Sequence, residues 1–281
     1  MAIVTLLISA CRPAPGASTD PDAAHALRLD LAALRKAECS VQIDTMLGPP
    51  GTNAGASLRI PLEFSGADDE LAMRMRSAQS FLQFGDVEIR NRVTPDLIEE
   101  PTDGGKHVVR RAADDPATKA EISALLGAPH AFLRLDEHAG VLDYREEIET
   151  DVKLGDVDAV GLAWVFPVPH LPVEPVKKGD EWLGARYLAR DAPFDADAAV
   201  PIRYRLVQVR RGVATISMVG GMSQELDVDG KPFVTAIGVE GQSKIRISDG
   251  RPLSTGVRVL LRLGRKDASA WEWRYTGSCA P

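Results

Sequence analysis

Five histidines supply whatever imidazole chemistry this chain has: His25, His107, His130, His138 and His170. Metal ligation or general-base work needs such groups at fixed spacing, as in His-Glu-x-x-His on one helix face. No pair here has that spacing. His138, beside Asp136 and Glu137, is the most suggestive, yet Asp136-Glu137-His138-Ala139-Gly140 reads more simply as a turn carrying solvated charge. No Gly-x-Ser-x-Gly nucleophile elbow occurs. Gly221-Met222-Ser223 reads as a hairpin turn entering a strand, and no glycine-rich phosphate loop follows a strand. No nucleophile–base constellation can be assembled, so no catalytic residue and no cofactor is expected.

Carboxylates give little more. Glu225-Leu226-Asp227-Val228-Asp229-Gly230 places oxygens at alternate positions before a glycine, as a calcium loop does. The twelfth position, where a bidentate Glu is required, is Ala236. Asp229-Gly230 is by itself a hairpin signal. Asp191, Asp195 and Asp197 fall in a Pro- and Ala-rich stretch and read as a solvated loop, so no metal site is expected.

Three cysteines remain: Cys11, Cys39 and Cys279. None belongs to a Cys-x-x-Cys or Cys/His set, which argues against metal and redox chemistry. Residues 2–10 are uncharged and mostly aliphatic. That is the length of a signal-peptide apolar core and too short for a spanning helix.

The run ends in Ile8-Ser9-Ala10-Cys11, which resembles the lipobox of bacterial lipoproteins. The resemblance implies a signal peptide over 1–10, cleavage before Cys11 and a diacylglycerol on its thiol. Several acyl chains, at roughly 0.8 kcal/mol per buried CH₂, make a stable anchor. Unlike such leaders, no Lys or Arg precedes the apolar run. Residues 11–25 hold Pro13, Pro15, Gly16 and Pro21 and read as a flexible tether. By resemblance to the lipoproteins of diderm bacteria, Arg12 after the Cys implies delivery to the outer membrane, facing the periplasm or the cell exterior. An exported chain meets an oxidising compartment, where Cys39 and Cys279 read as a disulfide tying both ends of the body together. The other reading is two separate thiols, one buried and one on a frayed tail.

The elements that must position these groups are mostly strands. From residue 26 the apolar period is two. Leu27, Leu29 and Leu31 alternate with charge, as do Val41 and Ile43, Leu58 to Leu62, Leu71 to Met75, and Val87 with Ile89. Pro61 demotes its segment to an edge or a bulge. Asp114-Asp115-Pro116 opens a helix carrying Ile122, Leu125 and Leu126, which Gly127 and Pro129 close. A second helix is expected over 157–166. Residues 131–135 and 141–148 read as a hairpin around the His138 turn.

The Pro-dense stretch 166–178 separates an N-terminal β-rich half, 26–165, from a C-terminal one, 179–281. In the second half, strands are expected over 182–190, 202–206, 214–218, 233–239, 245–247, 257–263 and 271–275, with Gly220-Gly221 as a turn. The fold class is therefore mainly antiparallel β with one or two short helices.

Leu171-Pro172-Val173-Glu174-Pro175-Val176-Lys177-Lys178-Gly179-Asp180-Glu181-Trp182 resembles a recurring element of uncharacterised exported bacterial lipoproteins. Residues 135–141 and the 241–253 hairpin, with its Ser-Asp-Gly-Arg turn, sit where that family has them. The resemblance implies long, strongly curved sheets like the half-barrels of lipoprotein carriers. It brings no catalytic residues. Physically, the element needs only a turn at Gly179 and Asp180 and a core aromatic at Trp182.

Composition is that of an ordinary globular chain: 44% hydrophobic, 26% charged, net charge −7, pI about 5.3. That balance lacks the basic footprint of a nucleic-acid binder. The leading expectation is a non-enzymatic, lipid-anchored envelope lipoprotein that binds a hydrophobic ligand or a protein partner, the ligand held in an open apolar trough of several hundred Å³ lined by Trp164, Trp182, Trp271, Trp273 and Tyr275. If the interior is filled, the body is a structural or protein-interaction module. An envelope hydrolase is the remaining, weakest reading.

Overall fold

The computed structural model describes residues 23–46, 54–67, 69–101, 106–146, 169–187, 199–228, 231–264 and 270–280. The lead-in with Cys11, the segment expected as a helix at 157–166 with Trp164, and Asp191, Asp195 and Asp197 lie outside these residues. Strand is the dominant state, and two short helices, α1 (Leu31–Arg35) and α2 (Pro116–Gly127), accompany it among the described residues. Neither is long and apolar enough to cross a membrane.

The C-terminal half is a meander of β10 (Glu181–Tyr187), β11 (Ala199–Arg210), β12 (Val213–Val228), β13 (Lys231–Arg246), β14 (Pro252–Gly264) and β15 (Ala270–Ala280). Strand β15 pairs antiparallel with β1 (Glu38–Met46), and β1 pairs with β2 (Ala54–Ser65). Beyond β2 the sheet forks. One branch runs through β4 (Ala78–Phe84), β5 (Val87–Thr94), β6 (Leu97–Pro101) and β7 (His107–Arg111). The other runs through β3 (Glu70–Met75), β8 (Ala131–Leu135) and β9 (Val141–Glu146). The fifteen strands among the described residues belong to one open antiparallel sheet.

Pro61 sits at the fork. Residues Ala54 to Arg59 of β2 face β4, and Leu62 to Ser65 face β3. The Pro61 carbonyl accepts from Arg76 N–H at 3.0 Å, in the link between β3 and β4. N–H and C=O of one strand residue project to the same side. The missing N–H therefore falls where the ladder already changes partner, and an interior strand tolerates the proline.

The sheet is strongly curved, and one short segment shows it. Leu29 N–H donates to Glu137 O at 3.0 Å, and Asp30 N–H donates to Asp249 O at 2.9 Å. Asp249 lies in the β13–β14 turn and Glu137 in the β8–β9 turn. Along the pairing path β13 and β8 are six strand steps apart, roughly 29 Å in a flat sheet. Consecutive Cα atoms are only about 3.8 Å apart, so the C-terminal meander and the β3–β8–β9 branch must curl towards each other.

The segment that bridges them fills the inside. Leu27, Leu29 and Leu34 are buried in the same core cluster as the strand residues. The alternation at Leu27, Leu29 and Leu31 thus marks burial, but the strand expected there is absent. Residues 26–30 run extended across the inner face, and Leu31 opens α1, capped by Asp30 accepting from Ala32 and Ala33 N–H. Period two reports alternating burial, and an unpaired extended segment produces it as well as a strand does.

A second difference concerns Gly220-Gly221. No turn forms there, and β12 continues to Val228. A Cβ on Gly220 would lie 2.2 Å from Pro201 O, so the glycine permits close strand approach. The β12–β13 pairing runs on to Val228 opposite Lys231, and the hairpin signal Asp229-Gly230 lies outside the described residues.

Helix α2 forms as its signals direct: Asp115 accepts from Ala117 and Thr118 N–H, and Pro116 opens the first turn. Ile122 and Leu125 pack on Val93 and Ile98 in a small second core.

Candidate functional site

Cross-strand register sorts the predicted site residues by face. On the inner face, Trp182, Tyr204, Met218, Gly241, Val257, Tyr275, Ile43 and Leu58 form one row across β10 to β2. The next row contains Ile202, Gly220, Val239, Val259 and Trp273. Trp271 pairs in register with Leu261; its side chain is outside the described residues. The structure thus brings Trp182, Trp273 and Tyr275 to one face.

That face is filled where it is described. Trp273 and Tyr275 are 4% and 5% exposed. Burial raises the Tyr275 hydroxyl pKa well above its ordinary value. Trp182 is half-buried and stacks on Tyr204 with centroids 5.9 Å apart and planes 16° from parallel. Its Nε1–H donates to His170 O at 2.9 Å, which satisfies the indole while its rings remain in the core.

The Leu171 to Trp182 element is a docking strap. Leu171 N–H donates to His138 O at 2.6 Å, and Val176 bridges His25. Asp180 Oδ2 accepts from Lys177 N–H, closing the turn. Gly179, at φ +97°, donates to Leu206 O, and Leu206 N–H donates to Asp180 O. Every polar group named here serves backbone geometry.

The histidines behave similarly. In the 136–140 turn, Asp136 Oδ1 accepts from both His138 and Gly140 N–H. His130 is buried, with Nδ1 accepting from Met75 N–H and Nε2 bonded to Leu125 O. Nε2 therefore carries the proton and the ring is neutral. Burial lowers its pKa, opposed by the bond to Leu125. Among the described residues no three His, Cys, Asp or Glu groups converge as a metal site. Glu225 and Asp227 lie in β12, an arm of a hairpin.

Cys39 and Cys279 are direct partners in the β1–β15 register and form a disulfide across 240 residues of sequence.

The outer face is mostly polar, with Leu183 and Val219 exposed on it. One row reads Arg205, Ser217, Gln242, Gly256, Thr276, Gln42, Arg59. Two shallow adjoining depressions lie along it, of about 560 Å³ and about 510 Å³, sharing Gly256 and Thr276. At the rim of the first, Arg258 and Arg274 are direct cross-strand partners. Like charges so placed repel. Glu272 lies between them, accepting from Arg258 at 2.8 Å and Arg274 at 2.7 Å, while Glu240 takes a second Arg258 bond at 2.9 Å. The Arg258 hydrogen bond, then that of Arg274, holds the Glu272 carboxyl below its usual range against the cost of burial.

The sequence reading missed this network because its members are distant in sequence. Alternation shows only that Glu240, Arg258, Glu272 and Arg274 are outward-facing, and register decides that they meet. No protein-family model and no curated protein matches this chain.

Proposed function

We propose that this protein is a non-enzymatic lipoprotein of the bacterial cell envelope, anchored by acyl chains at Cys11, whose body is a structural or protein-interaction module. The filled inner face carries this reading: with Trp273 and Tyr275 buried in the core, the surface left for a partner is the polar outer face. The Cys39–Cys279 disulfide supports an oxidising compartment. The lipobox-like Ile8 to Cys11 and the Leu171 to Trp182 element support membership among exported lipoproteins with half-barrel bodies, and delivery to the outer membrane.

Mass spectrometry of the protein recovered from bacterial membranes tests the proposal. The expected N-terminal peptide begins at Cys11 and carries diacylglycerol, and Cys11→Ser moves the protein to the soluble envelope fraction. An unmodified Cys11 in membrane-recovered protein overturns the anchor. Stoichiometric lipid beyond the anchor in native spectra overturns the filled-interior reading in favour of a hydrophobic-ligand carrier lined by Trp164, Trp182, Trp271, Trp273 and Tyr275.

A further inference from the structure

The end of the sheet where the chain enters the body is cationic, although the whole chain is acidic. This end gathers α1, the start of β1, the β11–β12 and β13–β14 turns and the strap before β10. They are bonded to one another: Ile247 N–H donates to Gly212 O at 2.9 Å, Asp30 N–H to Asp249 O at 2.9 Å, and Gly179 N–H to Leu206 O at 2.8 Å.

Carboxylates at this end are almost all occupied. Asp30 caps α1, Glu38 meets Arg76, Glu137 meets Arg28, Asp180 closes its turn and Asp249 meets Arg246. Glu174 is the exception among the described residues. The cations are the reverse. Lys36, Lys177, Lys178, Arg210, Arg211 and Lys244 are exposed and have no hydrogen-bond or ion-pair partner for their side chains among the described residues. Arg211 holds φ at 52° in a two-residue hairpin turn, where glycine or asparagine would be at ease.

We propose that this end docks on a phospholipid surface through anionic headgroups. The length and origin of the tether select this occupant. Residues 12–22 separate Cys11 from the described body, and twelve residue steps span at most about 40 Å. They lead to His25, paired with Val176 immediately before Lys177 and Lys178. Strand β12 alone has 16 residues, about 53 Å at the usual rise. An anchored body thus presents its basic end to the bilayer and holds the rest, net negative, away from it. Six unpaired cations attract an anionic headgroup layer within a Debye length, about 8 Å at physiological salt. The orientation rests on the lipid anchor proposed above, and the headgroup contact is testable without it.

The test uses unlipidated full chain, Cys11→Ser, in vesicle flotation. Equimolar phosphatidylglycerol–phosphatidylcholine vesicles are expected to carry the protein at least several-fold more than pure phosphatidylcholine, with the difference vanishing in molar salt. Reversal of Lys177, Lys178, Arg210 and Arg211 to Glu is expected to abolish flotation. Arg92→Glu with Lys119→Glu, at exposed positions on β5 and α2, is expected to leave it unchanged. Circular dichroism and gel filtration confirm that each variant is folded, and the salt series on the unsubstituted surface needs no variant. Equal flotation on both vesicles, equal loss in the Arg92/Lys119 control, or retention by sulfated dextran without flotation overturns the proposal. Failure of lipidation at Cys11 shows only in the mass spectrum, so the two readings fail separately.

Discussion

Cys39 and Cys279 face each other across β1 and β15, the two strands contributed by opposite ends of the body. Their bond staples the seam that makes one sheet of the two sequence halves. Chain entropy alone would assign so long a loop about 5 kcal/mol, an upper figure. Cys39→Ser with Cys279→Ser is expected to lower unfolding free energy by about 2–5 kcal/mol. The check is a urea titration, in which the midpoint falls while far-ultraviolet dichroism in buffer stays β-type.

His130 makes stability pH-dependent. Its folded pKa is lowered from the ordinary 6.5, chiefly by burial. The unfolded chain therefore binds the proton more readily, and this contribution is complete above about 6.5 and lost as pH falls through the folded value. His130→Gln is expected to flatten that part of the stability curve, even though it also removes the tie between β3 and α2 and lowers stability by about 1–3 kcal/mol. An unchanged slope in chemical denaturation across mildly acidic pH would refute the assignment.

Glu272 works at lower pH. Its carboxyl pKa is held below 4.5, first by Arg258 and then by Arg274. Its contribution is present above about 4.5 and disappears as pH falls through the folded value. Glu272→Gln leaves Arg258 and Arg274 opposed, so a loss of roughly 0.5–1 kcal/mol is expected at neutral pH, shrinking in high salt. Thermal melts at neutral and strongly acidic pH distinguish this from a packing defect, which persists at both.

Gly250 and Gly85 separate backbone conformation from contact. Both have positive φ, 64° and 58°. A Cβ on Gly250 would lie 2.1 Å from Arg28 O, whereas one on Gly85 meets nothing within 4 Å. Gly85→Ala is expected to cost about 1 kcal/mol, and Gly250→Ala about 2–4 kcal/mol, because it also pushes the Leu27–Leu29 segment off the inner face. Similar losses for the two in denaturant melts would show that this segment is not held by its backbone contacts.

Trp182 tests the strap. Trp182→Phe removes the Nε1–H bond to His170 O and is expected to cost about 1 kcal/mol, while Trp182→Ala empties the stack on Tyr204 and costs about 3–4 kcal/mol. Tryptophan fluorescence and urea midpoints measure both.

Much of the fold was legible in sequence because local rules carried it. Alternation located β1, β3, β5 and most of the C-terminal meander, and capping chemistry located α2. Strand β4, Ala78-Gln79-Ser80-Phe81-Leu82-Gln83-Phe84, escaped because it is polar and flanks a fork, where pairing comes from neighbours. Gly220-Gly221 misled because two glycines in sequence look like a turn, and only the closeness of Pro201 gives them a place inside a strand.

The sequence alone determined which residues face apart along each strand, where helix α2 starts and stops, and that Cys39 and Cys279 could pair. Those properties depend on periods of a few residues and on side-chain chemistry. Only the tertiary structure decided that the inner face is filled where it is described, that Arg258, Glu272 and Arg274 converge, and that cations without a partner among the described residues collect near His25. Each depends on register and curvature, which bring together residues that no local interaction links.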